Sequence, residues 1–151
     1  MRQQEEIKQL DNLNLLLKTL NQTDVGVSLS DYLQPDMPLI YVNEAFTKMT
    51  GYTSEEVSGK NCRFLQGDRP NDEAREIIRN AIKKGENCKV LLENYRKNGD
   101  YFVNELHLSP IFNENGELTH YAGIQHDVTE REETKESLRI RKELLSESKA
   151  P

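Results

Sequence analysis

Cys62 stands between Asn61 and Arg63 in the run GKNCRFLQG, Gly59 to Gly67. A cysteine beside a cation can serve as a thiolate nucleophile, a metal ligand, a disulfide half or a small apolar filler. Its sulfur can also be held over a bound chromophore. Cys88 is the only other cysteine, there is no CxxC or Cys/His cluster, and His107, His120 and His126 share no metal-ligand spacing. Those spacings disfavour zinc and leave free thiols in a reducing, cytoplasmic setting.

A second group of chemically capable residues falls on one helix. In RPNDEAREIIRNAIKKGEN, Pro70 and Asn71 precede the helix, acids fill its first turn, and lysines and Gly85 close it. Arg75, Ile78, Arg79 and Ile82 recur at i, i+3, i+4 and i+7, a face half apolar and half guanidinium. Arginines there either snorkel outwards or meet an anion, because an unpaired buried charge is prohibitive. A short helical turn in GKNCRFLQG would bring Cys62 and Gln66 together and aim Arg63 towards the same groove. Arginines converging over Ile78, Ile82 and Leu65 describe a pocket with a phosphate end and an apolar end. Along DYFVNELHLSP, Phe102, Asn104, Leu106 and Leu108 alternate onto one strand face, and Asn94 and Gln125 hold comparable strand positions. Each amide alone reads as a core group satisfied by nearby backbone. Three on one sheet face can instead match the alternating C=O and N–H groups of a flat heterocycle. A phosphate tail, an apolar ring and a uracil-like edge outline flavin mononucleotide (FMN).

The elements that must position these residues read as an α+β arrangement: two strands, short helices, one longer helix, then three antiparallel strands. KNGD and Asn115-Gly116 mark the hairpin turns. At 151 residues, 35% hydrophobic and 30% charged, the chain suits one modest core with charged additions. The net charge of −6 argues against general nucleic-acid binding, and no apolar run approaches the ~18 residues of a membrane span. Residues 1–22 carry Leu10, Leu13, Leu17 and Leu20 at 3-4-3 spacing, a seam for helix pairing. Residues 130–151 are mostly charged and helix-forming, with Leu138 and Leu145 one heptad apart. Both ends read either as solvated helices or as homodimer and signalling elements.

The run GKNCRFLQG resembles the signature of the LOV (light-oxygen-voltage) domains, the blue-light-sensing branch of the PAS superfamily. The similarity extends from Asp24 to Thr129 through IYVNEAFTKMTGY, IRNAI, NYRKNG, FVNEL and GIQHDVT. The core is similar to short bacterial LOV photoreceptors. The resemblance implies a PAS fold over residues 23–129: a five-stranded antiparallel sheet with helices on one face enclosing FMN, flanked by terminal helices. It implies a photoreceptor rather than an enzyme. Cys62 would bond through sulfur to flavin carbon C4a on illumination, with the proton ending on N5, and release in darkness. Arg63 and Arg79 would clamp the phosphate, Asn61 and Gln66 would meet the ribityl chain and ring, and Asn94 and Asn104 would hold the pyrimidine edge. Gln125 would change its hydrogen bonding and relay the change along the last strand. Leu106, Val27 and Ser30 are further expected neighbours of the cofactor.

Three positions depart from the family pattern. Arg75 replaces a hydrophobic residue and would add a clamp, Val103 replaces a frequent tryptophan, and Ser28 stands where many members keep valine. A cation lowers a neighbouring thiol's pKa, so a phosphate that neutralised Arg63 would let Cys62 stay protonated. The expected partners are a second copy of the chain and a downstream signalling protein or fused effector such as a histidine kinase. The competing readings are a flavoenzyme, a light-independent flavin-binding redox sensor and an engineered fluorescent reporter. The intact cysteine argues against the last two.

Overall fold

The computed structural model describes residues 1–148. The elements run α1 (Arg2–Asn21), β1 (Gly26–Asp31), β2 (Leu39–Val42), α2 (Glu44–Thr50), α3 (Ser54–Val57), a 3₁₀ turn (Cys62–Gln66), α4 (Asp72–Lys84), β3 (Cys88–Tyr95), β4 (Tyr101–Phe112), β5 (Leu118–Asp127) and α5 (Thr129–Ser148). The last stretch of the expected C-terminal segment, residues 149–151, lies outside the described residues.

Local chemistry sets the boundaries. Asn43 caps α2 by accepting the Phe46 amide, and Thr53 and Glu56 form a reciprocal capping box on α3. Asn71 adopts a left-handed conformation before α4. Its side chain bonds the backbone N–H and C=O of Glu93 instead of capping, which ties α4 to β3.

All strand pairs are antiparallel, in the order β2-β1-β5-β4-β3, so the first and last strands meet at the centre. The core divides into two clusters. Leu39, Val42, Phe46, Val57 and Leu65 form one; Val90, Leu92 and Leu106 form the other, with Ala74, Ile78 and Leu108 against it. A domain of this size commonly has one contiguous core. Here a cavity stands between the clusters, walled by Cys62 and Ile78 on one side and by Leu92, Leu106 and Leu108 on the other.

α1 and α5 bury no residue. α5 is held at its start: Thr129 Oγ1 accepts the Val103 amide at 2.9 Å, and Arg131 pairs with Glu105 at 2.8 Å. Asp127 Oδ1 accepts both the amide and the hydroxyl of Thr129, while its Oδ2 meets Arg96 at 2.5 Å. Burial pushes the Asp127 carboxyl up, but the bonds from Thr129 and Arg96 outweigh it and hold the group below its ordinary range.

Candidate functional site

The cavity measures about 410 Å³, within the range of small-molecule sites. Strand alternation supplies one wall. Asn94, Asn104 and Gln125 are 1%, 2% and 1% exposed, and all three border the cavity beside Leu92, Leu106 and Leu108. Asn104 Nδ2 donates to Asn94 Oδ1 at 3.1 Å, and Gln125 Nε2 donates to the Ser28 hydroxyl at 2.9 Å. Asn104 Oδ1 and Gln125 Oε1 are buried without a partner among the described residues. Orphaned acceptors are costly in a closed core, so two on side chains that line one cavity point to amides that reorient towards a donor-bearing guest.

β1 adds Ser28 and Ser30 to this wall. Val27, expected beside the cofactor, does not border the cavity, because the two-residue period turns it away from the side that Ser28 and Ser30 occupy. Gly123 of β5 makes room for the serine–glutamine pair. A Cβ there would collide with the Ser28 hydroxyl and lie 2.9 Å from Gln125 Nε2.

The opposite wall comes from the 3₁₀ turn and α4. Arg75, Ile78, Arg79 and Ile82 all border the cavity, with the arginines exposed at its mouth and the isoleucines half-buried. Cys62 and Gln66 border it from the turn. Leu65, expected to bound the same groove, packs instead into the Leu39, Val42, Phe46 and Val57 cluster, 2% exposed. The turn is 3₁₀, and its tighter winding rotates Leu65 out of the cavity wall.

Arg63 reaches the mouth, where its guanidinium pairs with Asp36 at 2.5 Å. Asn61 also borders the cavity, while its Oδ1 accepts the Arg63 amide and its Nδ2 donates to the Asp36 carbonyl. Burial pushes the Cys62 thiol up to about 12. Cys62 retains accessible surface, but that surface faces the cavity, so its desolvation and its half-buried area are compatible. The thiol is therefore protonated at neutral pH through desolvation, without a phosphate having to cancel Arg63.

Tyr32, Gln34, Asp36 and Met37, from the β1–β2 loop, complete the mouth and were not foreseen from the sequence. Asp36 and Met37 hold positive φ angles of 67° and 46°, in a loop where Asp36 bonds Asn61 and Arg63 and the Met37 amide donates to the Gln34 carbonyl. Leu92 was not named from the sequence either, although its place two residues before Asn94 on the same strand face is the signal that would have found it.

This arrangement has relatives. The PAS domain family matches residues 25–130. A blue-light photoreceptor of Listeria innocua is 48% identical over 116 residues, covering 77% of this chain and 46% of that protein, so the chain spans about half of this relative's length. The solved structure of an RNA-binding light-oxygen-voltage receptor superposes with a TM-score of 0.81 at 41% identity, over 89% of this chain and 38% of that one. The LOV domain of the Erythrobacter litoralis blue-light-activated histidine kinase superposes with a TM-score of 0.68 at 38% identity, over 72% of this chain and 99% of the domain. With that domain matched over almost its whole length and the cavity framed by the same fold, the chain belongs to the PAS family, in its LOV branch.

Proposed function

We propose that this chain is the light-sensing portion of a blue-light receptor, with residues 23–129 binding FMN and residues 1–22 and 130–151 carrying the response. The observation that supports it best is a desolvated thiol on the wall of a cavity whose facing wall is lined by two amides with unpartnered oxygens. A flavin suits the donor set: its pyrimidine N–H would answer an orphaned oxygen, and its ring would join the two apolar clusters into one core. Arg63, Arg75 and Arg79 at the mouth would meet the phosphate, which favours the mononucleotide over riboflavin. The bound flavin would supply blue-light absorption and a carbon, C4a, that the Cys62 sulfur can reach reversibly.

The protein's own groups then have separate tasks. The 3₁₀ turn, fixed by the Asn61 cap, holds Cys62 against the cavity so that proximity replaces diffusion. Desolvation keeps the thiol proton on sulfur until it is needed. Gln125 is anchored by Ser28 through Nε2 and leaves Oε1 unpartnered, so rotating the whole amide would exchange donor for acceptor when a neighbouring acceptor becomes a donor. Catalytic output belongs to a fused or docked effector, and the exposed leucines of α1 suit pairing with a second copy.

The test is direct. Purified protein loaded with FMN should be yellow, bleach under blue light and recover in darkness, while Cys62→Ser should stay yellow without bleaching. A parent spectrum indifferent to illumination would favour a light-independent flavin sensor.

A further inference from the structure

Asn43 is 1% exposed, and its carboxamide makes four hydrogen bonds. Oδ1 accepts the amides of Val27 at 2.8 Å and Phe46 at 3.0 Å. Nδ2 donates to the carbonyls of Val25 at 2.9 Å and Leu20 at 3.0 Å. Capping α2 requires only the bond to Phe46. Two of the others grip the peptide groups on either side of Gly26, and the last ends on the final turn of α1. The Asn43 amide also donates to the Val27 carbonyl at 3.0 Å. Because α1 buries no residue, its direction is set at this final turn, where Asn21 Oδ1 accepts the Glu44 amide at 3.2 Å.

Gly26 joins this node to the cavity. It is the ladder partner of Gln125. A Cβ on Gly26 would lie 3.3 Å from both Cβ and Oε1 of Gln125 and 3.4 Å from Cα of Phe46. The Gln125 amide thus packs on bare backbone between the two peptides that Asn43 holds, and the atom packed there is its unpartnered oxygen.

We propose that Asn43 is a positioning residue that transmits a rearrangement of the Gln125 amide, through Gly26, to the last turn of α1. The trigger rests on the photoreceptor reading above, whereas the mechanical link belongs to the protein in darkness. α5 is held separately, through Val103, Glu105 and Asp127, so the cavity has a distinct route to each terminal helix. Closely packed interiors convert a small rearrangement into a change of element direction, because they do not deform continuously.

Asn43→Asp in the full FMN-loaded chain keeps the shape and both acceptor bonds, but sets a carboxyl oxygen against the Val25 and Leu20 carbonyls. Hydrogen exchange is followed by mass spectrometry in darkness and under blue light, with the visible spectrum taken on the same samples. In darkness, residues 17–23 should exchange about tenfold faster in the variant, while α4 is unchanged. On illumination, the parent should change exchange at both α1 and α5. The variant should bleach and keep the α5 response but lose the α1 response. An α1 response equal to the parent's, or a bleaching parent in which residues 17–23 do not respond, overturns the proposal. A parent that does not bleach sinks the photoreceptor reading instead; equal dark exchange in parent and variant then overturns the link. Should Asn43→Asp misfold, Asn43→Ser, which keeps the cap but cannot reach Leu20, faces the same outcomes.

Discussion

Single side chains decide whether the cavity can work as a photochemical site, and the protonation of Cys62 is the first of them. A thiol raised from 9.0 to about 12 favours the fold fully below its unfolded value, and that contribution fades as pH rises towards the folded one. Alkylation requires the thiolate, so iodoacetamide at pH 8 in darkness should leave Cys62 essentially unmodified when peptides are mapped by mass spectrometry. Modification at the rate of an unstructured cysteine would contradict the buried thiol. Gln125→Leu should leave bleaching intact and remove the light-dependent change in exchange at both terminal helices; a full response would take Gln125 out of the relay. The sequence made Asn94, Asn104 and Gln125 legible because strand alternation is strict, and Arg75 and Arg79 because helical spacing is. Asp36, by contrast, meets Arg63 from 27 residues away across an irregular loop, and no local pattern encodes that meeting.

Elements were legible where turn and cap chemistry was local. The hairpin turns and the span of α4 follow from their own residues. Val27 and Leu65 were not legible, since assigning them needs the strand's phase against the cavity and the winding of a five-residue turn. Gly123 shows how tightly β5 is fitted to its neighbours. Gly123→Ala should destabilise the fold by about 1–3 kcal/mol through overpacking against Ser28 and Gln125, read as a lower denaturant midpoint. An unchanged midpoint would mean that Ser28 yields freely. At the start of α5, the lowered Asp127 carboxyl contributes stability that is present above its unfolded pKa of about 3.9 and lost as pH falls through the folded value. Amide exchange in the first turn of α5 should therefore rise on acidification below about pH 4 before the sheet opens. Simultaneous loss of both would remove Asp127 as the anchor.

For the molecule as a whole, a helix of 20 residues flanks the core at each end of the sheet-forming segment, and neither has a fully buried residue. If α1 pairs with a second copy, Leu13→Glu should halve the mass seen by light scattering while leaving the flavin spectrum unchanged; an undiminished mass would move the dimer seam elsewhere. Charge is distributed unevenly over this body. The chain carries −6, yet three arginines against one aspartate leave +2 (3 − 1) at the rim of the cavity. An anionic guest is thus repelled by most of the surface and drawn in at one place, tail first. Cofactor loading should therefore slow as ionic strength rises, and a neutral riboflavin should lack that dependence.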